Sequence, residues 1–397
     1  MVDKEPKILI PSLHCLFSFD NKLGGSVHGS LNVCKYLSRA GQPVEVAGTY
    51  ANSDDTAYLS ENYPEVLCHR LKRSFPRRYC NSAELVSWMR AHIHRFRLVE
   101  LHGIFVLSTF RAAVLCKKKG MPYLVCPHNS LDPFDLKKHA ALKRVLGPIF
   151  VQWLLKNSAG VVSVTELEDK RLVTFGASPQ RFIVPYPVPE PANEGNGAAF
   201  RTRHKIPADA MVVLFMSRVD YKKGLDWLIP ALARVKRDFP KLWFVLAGAG
   251  VPDFVAQVHS WIKQYGIRPF TTEVGFVTGQ EKLDALAAAD IFALPSLNES
   301  FGIVVVEAMY AGLPLLISSE VYIYEDIAKA KAGLICSPDV DSVTQHLRTM
   351  LDGSVDLQAM GEQGRELVRS RYRPAMATDI LLKAYERVLK QPKSAEL

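Results

Sequence analysis

The sequence has little of what marks an exported or membrane-embedded protein. Its start, MVDKEPKILIPSL, reaches an apolar strand directly after charged residues and builds no signal-peptide core. No later apolar run approaches the roughly 18 residues that a membrane-spanning helix needs. The seven cysteines are odd in number, scattered, and lack the close pairs of zinc or redox motifs. These absences predict a cytoplasmic chain with reduced thiols.

Motifs for the common nucleotide cofactors are also missing. GAG at 248–250 is followed by VPD without a third glycine, and GGSVHG at 24–29 has the wrong spacing for G-x-G-x-x-G. The phosphate-loop pattern G-x-x-x-x-G-K-[ST] does not occur. A nicotinamide enzyme or an NTPase is therefore disfavoured.

The chain is long and apolar enough for two buried cores. It has 397 residues, of which 48% are hydrophobic and 22% charged. Short apolar runs alternate with helical patterns from about residue 7 to 185, and a second such series runs from MVVLFMSRV to AGLICSP. Between them, PYPVPEPANEGNGAAF (185–200) is predicted to be the linker. The pattern predicts an α/β chain of two facing doubly wound domains with a cleft between them, in which ligands bind beyond the carboxyl ends of the strands.

Basic residues are concentrated in the first half of the chain. Lysine and arginine outnumber the acids 49 to 40, and the excess is clustered at 69–78, 94–97, 117–119 and 137–144. Such a surface attracts a phosphorylated small molecule or the anionic face of a bilayer. No nucleic-acid module accompanies the charge, so no nucleic-acid partner is predicted. A plain solvated surface remains an equal alternative to membrane binding.

The stretch SLNESFGIVVVEAMYAG (296–312) keeps two carboxylates in an apolar run. Glu299 is predicted to lie in a loop after a strand, and Glu307 about two turns into a helix from Phe301 to Tyr310 that Gly312 terminates, roughly 9 to 12 Å away. At that separation they cannot share a proton, but they can bind two hydroxyl groups of one elongated ligand, with the helix N-terminus facing an anion between them. A nucleotide sugar has this layout. The alternative is a loop cap and a solvated helix residue.

The E-x7-E pattern between ADIFALPS and AMYAGLP resembles family 4 of the retaining glycosyltransferases, which have the GT-B fold of two Rossmann-like domains. Four further segments resemble the family in the same order along most of the chain. They are GGSVHGSLNVCKYLSRAGQPVEV, SRVDYKKGLDWLIPAL, LAGAG and VGFVTGQEKLDALAAAD.

This resemblance implies roles for individual residues. Glu299 would contact hydroxyls of the transferred sugar and Glu307 those of the ribose. Arg218 and Lys223 would neutralise the diphosphate of the leaving group, as fixed cations can do in place of a metal. His128, in VCPHNSLDP, would contact the donor sugar near its anomeric centre.

The implied catalytic set is His128, Arg218, Lys223 and Glu299. The implied donor-binding set comprises two glycines after the first strand, the two cations, a base-binding segment, and the region from the first to the second glutamate: Gly24, Gly25, Arg218, Lys223, Gly275, Phe276, Val277, Glu299, Ser300, Phe301, Gly302, Ile303 and Glu307. No metal and no cofactor is expected. Without the resemblance, the glycines are equally a simple turn, the cations ordinary surface bases, the base-binding segment a buried strand end, and His128 a structural histidine.

The function that the resemblance implies is metal-independent, retaining transfer of a sugar from a UDP- or GDP-linked donor to a saccharide or lipid-linked acceptor. Residues 1–188 would bind the acceptor, residues 189–374 the nucleotide sugar, and residues 375–397 would form a helix crossing back to the first domain. A role in bacterial polysaccharide or glycolipid biosynthesis is expected, at the inner face of the cell membrane. The alternatives are a sugar phosphorylase, a nucleotide-sugar epimerase, and a non-catalytic subunit of a polysaccharide assembly.

Overall fold

The structure is a computed structural model that describes residues 8–20, 25–132, 149–172 and 180–390. The chain divides into two compact units. Unit 1 comprises Met1–Pro187 together with Pro374–Leu397, and unit 2 comprises Val188–Arg373. Unit 1 is therefore discontinuous in sequence.

Unit 1 contains a seven-stranded sheet in which every pair of neighbouring strands is parallel. The strands are β1 (Ser12–Leu16), β2 (Val44–Tyr50), β3 (Leu67–Lys72), β4 (Leu98–His102), β5 (Tyr123–Cys126), β6 (Gly160–Ser163) and β7 (Arg181–Ile183). Their order in space is β3-β2-β1-β4-β5-β6-β7. The central strands β1, β4 and β5 are buried along their whole length, because helices cover both faces of a parallel sheet.

Crossover helices connect these strands. They are α1 (Gly25–Arg39), α2 (Tyr58–Asn62), α3 (Ala83–His92), α4 (Leu107–Lys118) and α5 (Glu166–Leu172), and residues 149–156 are helical as well. Two core clusters lie on the sheet, one built around Leu101 and Val125 and the other around Leu31 and Val46.

Unit 2 contains a six-stranded parallel sheet. Its strands are β8 (Met211–Met216), β9 (Leu242–Ala247), β10 (Thr271–Gly275), β11 (Ile291–Leu294), β12 (Leu315–Ser318) and β13 (Gly333–Cys336). The order β10-β9-β8-β11-β12-β13 is that of a Rossmann-type sheet. The winding reverses between β8 and β11, and ligands of such sheets bind beyond the carboxyl ends of the strands at this switch point.

The helices of unit 2 are α6 (Gly197–Arg203), α7 (Leu225–Val235), α8 (Pro252–Gln264), α9 (Gly279–Ala288), α10 (Ile303–Ala311), α11 (Tyr324–Ala330), α12 (Val340–Leu351) and α13 (Leu357–Leu367). The predicted linker at 185–200 is wrong at its end, because α6 begins there and packs on α9. A Cβ added to Gly197 would lie 2.3 Å from the carbonyl oxygen of Ala287, so glycine is what allows this close approach.

The last helix, α14 (Pro374–Leu389), belongs to unit 1 and packs on α1. Its Leu381, Tyr385 and Val388 are buried in the cluster around Leu31. Among the described residues, none of the helices combines the length and the apolar composition needed to cross a membrane.

Candidate functional site

The loops that follow β8 and β11 touch each other at the switch point of unit 2. The amide of Leu297 donates to the carbonyl of Lys222 at 2.7 Å. Gly224 has φ of 75°, and a Cβ there would lie 2.0 Å from the carbonyl oxygen of Pro295. Only glycine fits both this conformation and this contact, so the two loops are held together backbone to backbone.

Lys223 and Glu299 form an ion pair across these two loops. Lys223 is only 7% exposed, and its Nζ donates to Oε2 of Glu299. The backbone of Glu299 is fixed by its own amide, which donates to the carbonyl of Glu320, and by the amide of Tyr322, which donates to its carbonyl, each at 2.9 Å. The structure thus brings two of the predicted catalytic residues into direct contact.

Glu307 lies on α10, which begins at Ile303 instead of Phe301. Glu307 is therefore about one turn into the helix, and the predicted two turns are wrong. The reason is Gly302, whose φ of 79° is left-handed and stops the helix from extending backward. Lys282 of α9 donates to Oε1 of Glu307 at 2.6 Å. Lys282 was not among the predicted site residues, although it lies in the segment that resembles the base-binding helix.

The residues between the two glutamates have different environments. Ser300 lies in the turn before α10, and Ile303 is the first residue of that helix. The side chain of Phe301 is buried and packs edge to face on Tyr372, with ring centroids 5.6 Å apart. The side chain of Phe301 therefore belongs to the core, and only its backbone can serve the donor-binding role predicted for it.

The remaining predicted residues of unit 2 follow the ends of its strands. Arg218 is exposed in the loop after β8. Gly275 ends β10 with φ of 71°, and its carbonyl accepts from the amide of Gly248 at 2.6 Å. Phe276 is 73% exposed, and Val277 is buried. The alternative interpretation, that this segment is a buried strand end, does not hold for Phe276, because its ring is exposed to solvent.

In unit 1, Gly24 lies outside the described residues, and Gly25 is the first residue of α1. Gly25 is exposed, and a Cβ added to it would have no heavy atom within 4 Å. Within the described part of unit 1, nothing therefore requires glycine at this position for packing.

His128 follows β5 with a left-handed φ of 51°, and the next residue, Asn129, has φ of 62°. Asparagine tolerates this conformation better than most residues. The amides of Asn129 and Val164 donate to the two carboxyl oxygens of Glu168 at 2.5 and 2.7 Å, so Glu168 fixes the loop. Burial raises the pKa of Glu168 to about 7, although both backbone donors oppose the shift. No sequence signal distinguishes Glu168 from the other acids of TELEDK.

The half-buried ring of His128 joins a polar cluster that was not predicted from the sequence. Its Nε2 lies 2.8 Å from Nδ1 of His102, and its Nδ1 lies 2.5 Å from the hydroxyl of Tyr186. Burial lowers the pKa of His128 to about 4, so the ring is neutral near pH 7. Beyond His102 lie His14 and Glu100, on the adjacent strands β1 and β4.

This cluster also has the composition of a metal site. One ligand-type atom each from His14, Glu100 and His102 lies within 4.8 Å of the others, and all three side chains are buried. All three side chains also take part in hydrogen bonds to neighbouring side chains. No metal was predicted, and these are the residues of the described chain that could hold one.

Comparison with known proteins agrees with the fold. Residues 198–367 match the family model of glycosyl transferases group 1, and residues 24–187 match that of the glycosyl transferase 4-like domain. The Anabaena protein HepE, solved in complex with UDP, superposes with a TM-score of 0.80 over 95% of this chain and 100% of that chain, at 16% identity. The fold is therefore GT-B, and two successive segments of the chain match glycosyltransferase domain families.

Curated relatives match parts of the chain. An uncharacterised glycosyltransferase of Methanocaldococcus jannaschii is 34% identical over 154 residues, which are 38% of this chain and 37% of the relative. The 2-deoxystreptamine glucosyltransferase of Streptomyces kanamyceticus is 26% identical over 289 residues, which are 70% of this chain and 73% of that protein. The chain thus spans less than two thirds of the first relative's length.

Proposed function

We propose that the protein transfers a sugar, with retention of anomeric configuration and without a metal ion, from a UDP- or GDP-linked donor to a saccharide or lipid-linked acceptor. The observation that carries this proposal is the Lys223–Glu299 pair at the switch point of unit 2. A buried cation and a rigidly held carboxylate side by side suit a ligand that has an anionic part next to a hydroxylated part.

Both partners of this pair have bonding capacity left for a ligand. A lysine ammonium has three N–H donors, and Lys223 uses one on Glu299. Glu299 retains acceptor sites for sugar hydroxyls. Lys223, with Arg218 from the same loop, stabilises the charge that builds on the departing diphosphate. Departure and attack on the same face of the sugar then give retention, as the family resemblance implies.

A second carboxylate–lysine pair extends the same pattern toward the nucleoside. Glu307 and Lys282 lie on α10 and α9, the two helices that follow β11 and β10. Glu307 binds the ribose hydroxyls, and the exposed ring of Phe276 stacks near the base. HepE, which has the same fold, was solved in complex with UDP-glucose as well as with UDP. This supports the uridine-linked donor in the proposal.

The first experiment screens UDP-, GDP- and ADP-sugars for thermal stabilisation of the full chain, since a bound ligand raises the unfolding temperature by mass action. With the best donor, Lys223→Ala should weaken binding about 10- to 100-fold in calorimetry, the loss expected for a hydrogen bond to a charged group. Lys241→Ala is the matched control, because Lys241 is an exposed lysine of unit 2 paired with Asp209. Equal affinities for the two variants would contradict the site.

The reaction itself is tested with a panel of saccharide and lipid-linked acceptors. The expected result is transfer that survives chelation, with a product whose anomeric configuration by NMR equals that of the donor. Phosphate-dependent breakdown of a glycoside would instead identify a phosphorylase, and interconversion of the donor without an acceptor would identify an epimerase. Absence of any nucleotide-sugar binding would favour a non-catalytic subunit.

We further propose that unit 1 binds the anionic inner face of the cell membrane to reach a lipid-linked acceptor. Phe75 is 90% exposed, and Arg77 and Arg78 follow it within the basic cluster at 69–78. An exposed aromatic ring beside arginines suits a lipid surface, where each basic residue contributes about 1 kcal/mol to binding.

Liposome flotation should show binding that requires anionic lipid and falls with salt. Phe75→Ser should weaken it, whereas Val251→Ser, at an exposed apolar residue of unit 2, should not.

A further inference from the structure

A column of stacked rings, buried except at the half-buried His128, lies in unit 1. The ring centroids of His14 and His102 lie 5.3 Å apart, those of His102 and His128 lie 5.0 Å apart, and those of His128 and Tyr186 lie 6.0 Å apart, with all three pairs stacked. His14 and His102 are fully buried. The column therefore connects His128 to the centre of the sheet through hydrogen-bonding rings.

The inner end of the column is closed by a carboxylate and by the last helix. The hydroxyl of Tyr385, on α14, donates to Oε2 of Glu100 at 2.6 Å and lies 3.1 Å from Nε2 of His14. The thiol of Cys126 donates to Oε1 of Glu100 at 2.8 Å. Glu100 thus receives a proton donor on each oxygen.

This arrangement fixes the direction of the hydrogen bonds nearest the carboxylate. Because the single proton of Tyr385 lies toward Glu100, the phenol oxygen must accept from Nε2–H of His14. Burial lowers the pKa of His14 and of His102, so both rings are neutral and each carries one proton. Nδ1 of His14 therefore has no proton, and it accepts from Nε2–H of His102 at 3.1 Å.

The same reasoning reaches His128. The hydroxyl of Ser30 lies 3.1 Å from Nδ1 of His102, but its proton is donated to the carbonyl of Ser26 at 2.8 Å. The donor to Nδ1 of His102 is then Nε2–H of His128. Nδ1 of His128 is left as an acceptor for the hydroxyl of Tyr186. One consistent set of protons satisfies the whole chain from Tyr186 to Glu100.

We propose that Glu100 is a positioning residue, which acts through Tyr385, His14 and His102 to hold His128 in the tautomer protonated on Nε2. The carboxylate ends the chain as a pure acceptor, and every hydrogen bond outward from it takes its direction from that end. If the side chain at position 100 donated to the hydroxyl of Tyr385 instead, the donor and the acceptor of each hydrogen bond in the chain would exchange. The proton of His128 would then lie on Nδ1. With the proton on Nδ1, the ring of His128 would offer the hydroxyl of Tyr186 a donor in place of an acceptor, so the tautomer determines what Tyr186 and the loop around His128 present.

A metal ion in the same cluster predicts the opposite tautomer. Nδ1 of His14, Oε1 of Glu100 and Nε2 of His102 are separated by 3.1, 3.8 and 4.0 Å, so a point in their plane lies about 2.1 Å from each, which is a zinc-like distance. An ion there would occupy Nε2 of His102, which would then donate from Nδ1 to His128. The hydrogen-bonded chain is favoured because it satisfies these atoms with protons that the side chains already carry.

The test is 15N NMR of the full chain labelled at histidine, in which two-bond couplings distinguish a protonated ring nitrogen from an unprotonated one. Loss of one signal set in His128→Gln assigns the ring. We expect Nε2–H at His128 in the parent protein. In Glu100→Gln the amide oxygen accepts from Cys126 and the amide NH2 donates to Tyr385, so we expect the proton of His128 to move to Nδ1 completely.

Two further variants keep the proposal testable if Glu100→Gln does not fold. Tyr385→Phe keeps the ring and removes the coupling hydroxyl, and a mixture of both tautomers is expected at His128. Cys126→Ser is the matched control, because it alters the same carboxylate contact but retains a donor, so Nε2–H is expected to persist.

An unchanged tautomer in both Glu100→Gln and Tyr385→Phe would overturn the proposal, as would Nδ1–H in the parent protein. Stoichiometric zinc in the purified protein, with histidine signals that shift on chelation, would also overturn it. The catalytic consequence rests on the proposed function, whereas the tautomer is measured without any substrate. Failure of the transfer assay and failure of this inference are therefore distinguishable.

Discussion

At the scale of single residues, each glutamate of the E-x7-E motif has a lysine partner from a different element. Glu299 is paired with Lys223, and Glu307 with Lys282. The family resemblance predicts both glutamates and Lys223 as site residues. It does not predict Lys282, because a pairing between residues 25 positions apart depends on how two helices pack, and a single sequence does not record that.

Replacing the carboxylate of Glu307 should weaken donor binding without weakening the fold. We expect Glu307→Gln to reduce affinity for the best nucleotide sugar about tenfold, because the proposed role of Glu307 includes one charge-assisted hydrogen bond to the ribose. Calorimetry measures the affinity. Glu366→Gln is the control, since Glu366 is a largely exposed carboxylate of α13. An equal loss with the free sugar-1-phosphate, which has no ribose, would show that Glu307 acts elsewhere.

The half-buried His128 should make unit 1 sensitive to acid. Its folded-state pKa of about 4 lies below the value near 6.5 of an unfolded chain, so the unfolded state binds more protons between these limits. The stability that the neutral ring contributes is therefore fully present above pH 6.5 and is lost as the pH falls toward 4. Burial raises the pKa of Glu168 to about 7, so its contribution to stability increases as the pH falls, opposite to that of His128. The contribution of His128 is therefore obtained by comparing the parent with a variant that lacks His128.

Between pH 6.5 and 4, we expect the stability of unit 1 to change less steeply with pH in His128→Gln than in the parent. The difference in slope should correspond to at most one bound proton. Hydrogen exchange of the amides in β4 and β5 measures the local stability at several pH values. His94→Gln is the control because His94 is exposed. If the stability of the parent and of His128→Gln has the same slope against pH, the folded protein does not hold His128 as a neutral ring.

At the scale of elements, most of the pattern of strands and helices could be predicted, but the exact ends could not. The stop of α10 at Gly312 follows from a glycine that adopts φ of 76°. Its predicted start is wrong by two residues, because Gly302 and Phe301 act through backbone conformation and core packing that composition does not reveal. The end of the predicted linker is part of α6 for a similar reason, since its glycines pack on α9.

The contact between the loops after β8 and β11 should depend on Gly224. We expect Gly224→Ala to destabilise unit 2 by about 3 kcal/mol, because a methyl group there meets the carbonyl of Pro295. Gly353→Ala is the matched control: Gly353 has φ of 81° but open space around it, so only the backbone term of about 1 kcal/mol applies. The loss of stability in each variant is measured by urea unfolding, with hydrogen exchange of the amides in β8 and β11 as the probe. Equal losses would mean that the loops are not held by this contact.

At the scale of the whole molecule, the GT-B fold could be predicted from the repeated strand–helix pattern and the ordered motifs, and the comparisons confirm it. The column of rings that connects His128 to Glu100 could not be predicted from the sequence. Tyr385 and His14 are 371 positions apart, and only the return of α14 onto unit 1 brings them together.

Removing residues 374–397 should therefore damage unit 1 and spare unit 2. The truncation exposes the core around Leu381 and Val388, where each buried side chain contributes about 1.5–3 kcal/mol, and it leaves Glu100 without its phenol donor. We expect fast hydrogen exchange in β1 and β4 but parent-like exchange in β8 and β11. Removing only residues 391–397 is the control and should leave both sheets protected. Equal loss of protection in both units would contradict the assignment of α14 to unit 1.

The same discontinuity has a consequence for synthesis on the ribosome. Unit 2 is one continuous segment, and all of it has been translated before α14 is made, whereas the first 187 residues must wait for that helix to emerge. The second half of the chain is thus able to reach its native state first, which reverses the usual order in which domains mature during translation. Until α14 has been made, the apolar side chains of α1 that pack against it, among them Leu31 and Leu37, lack that cover, and we expect chaperones to bind them there.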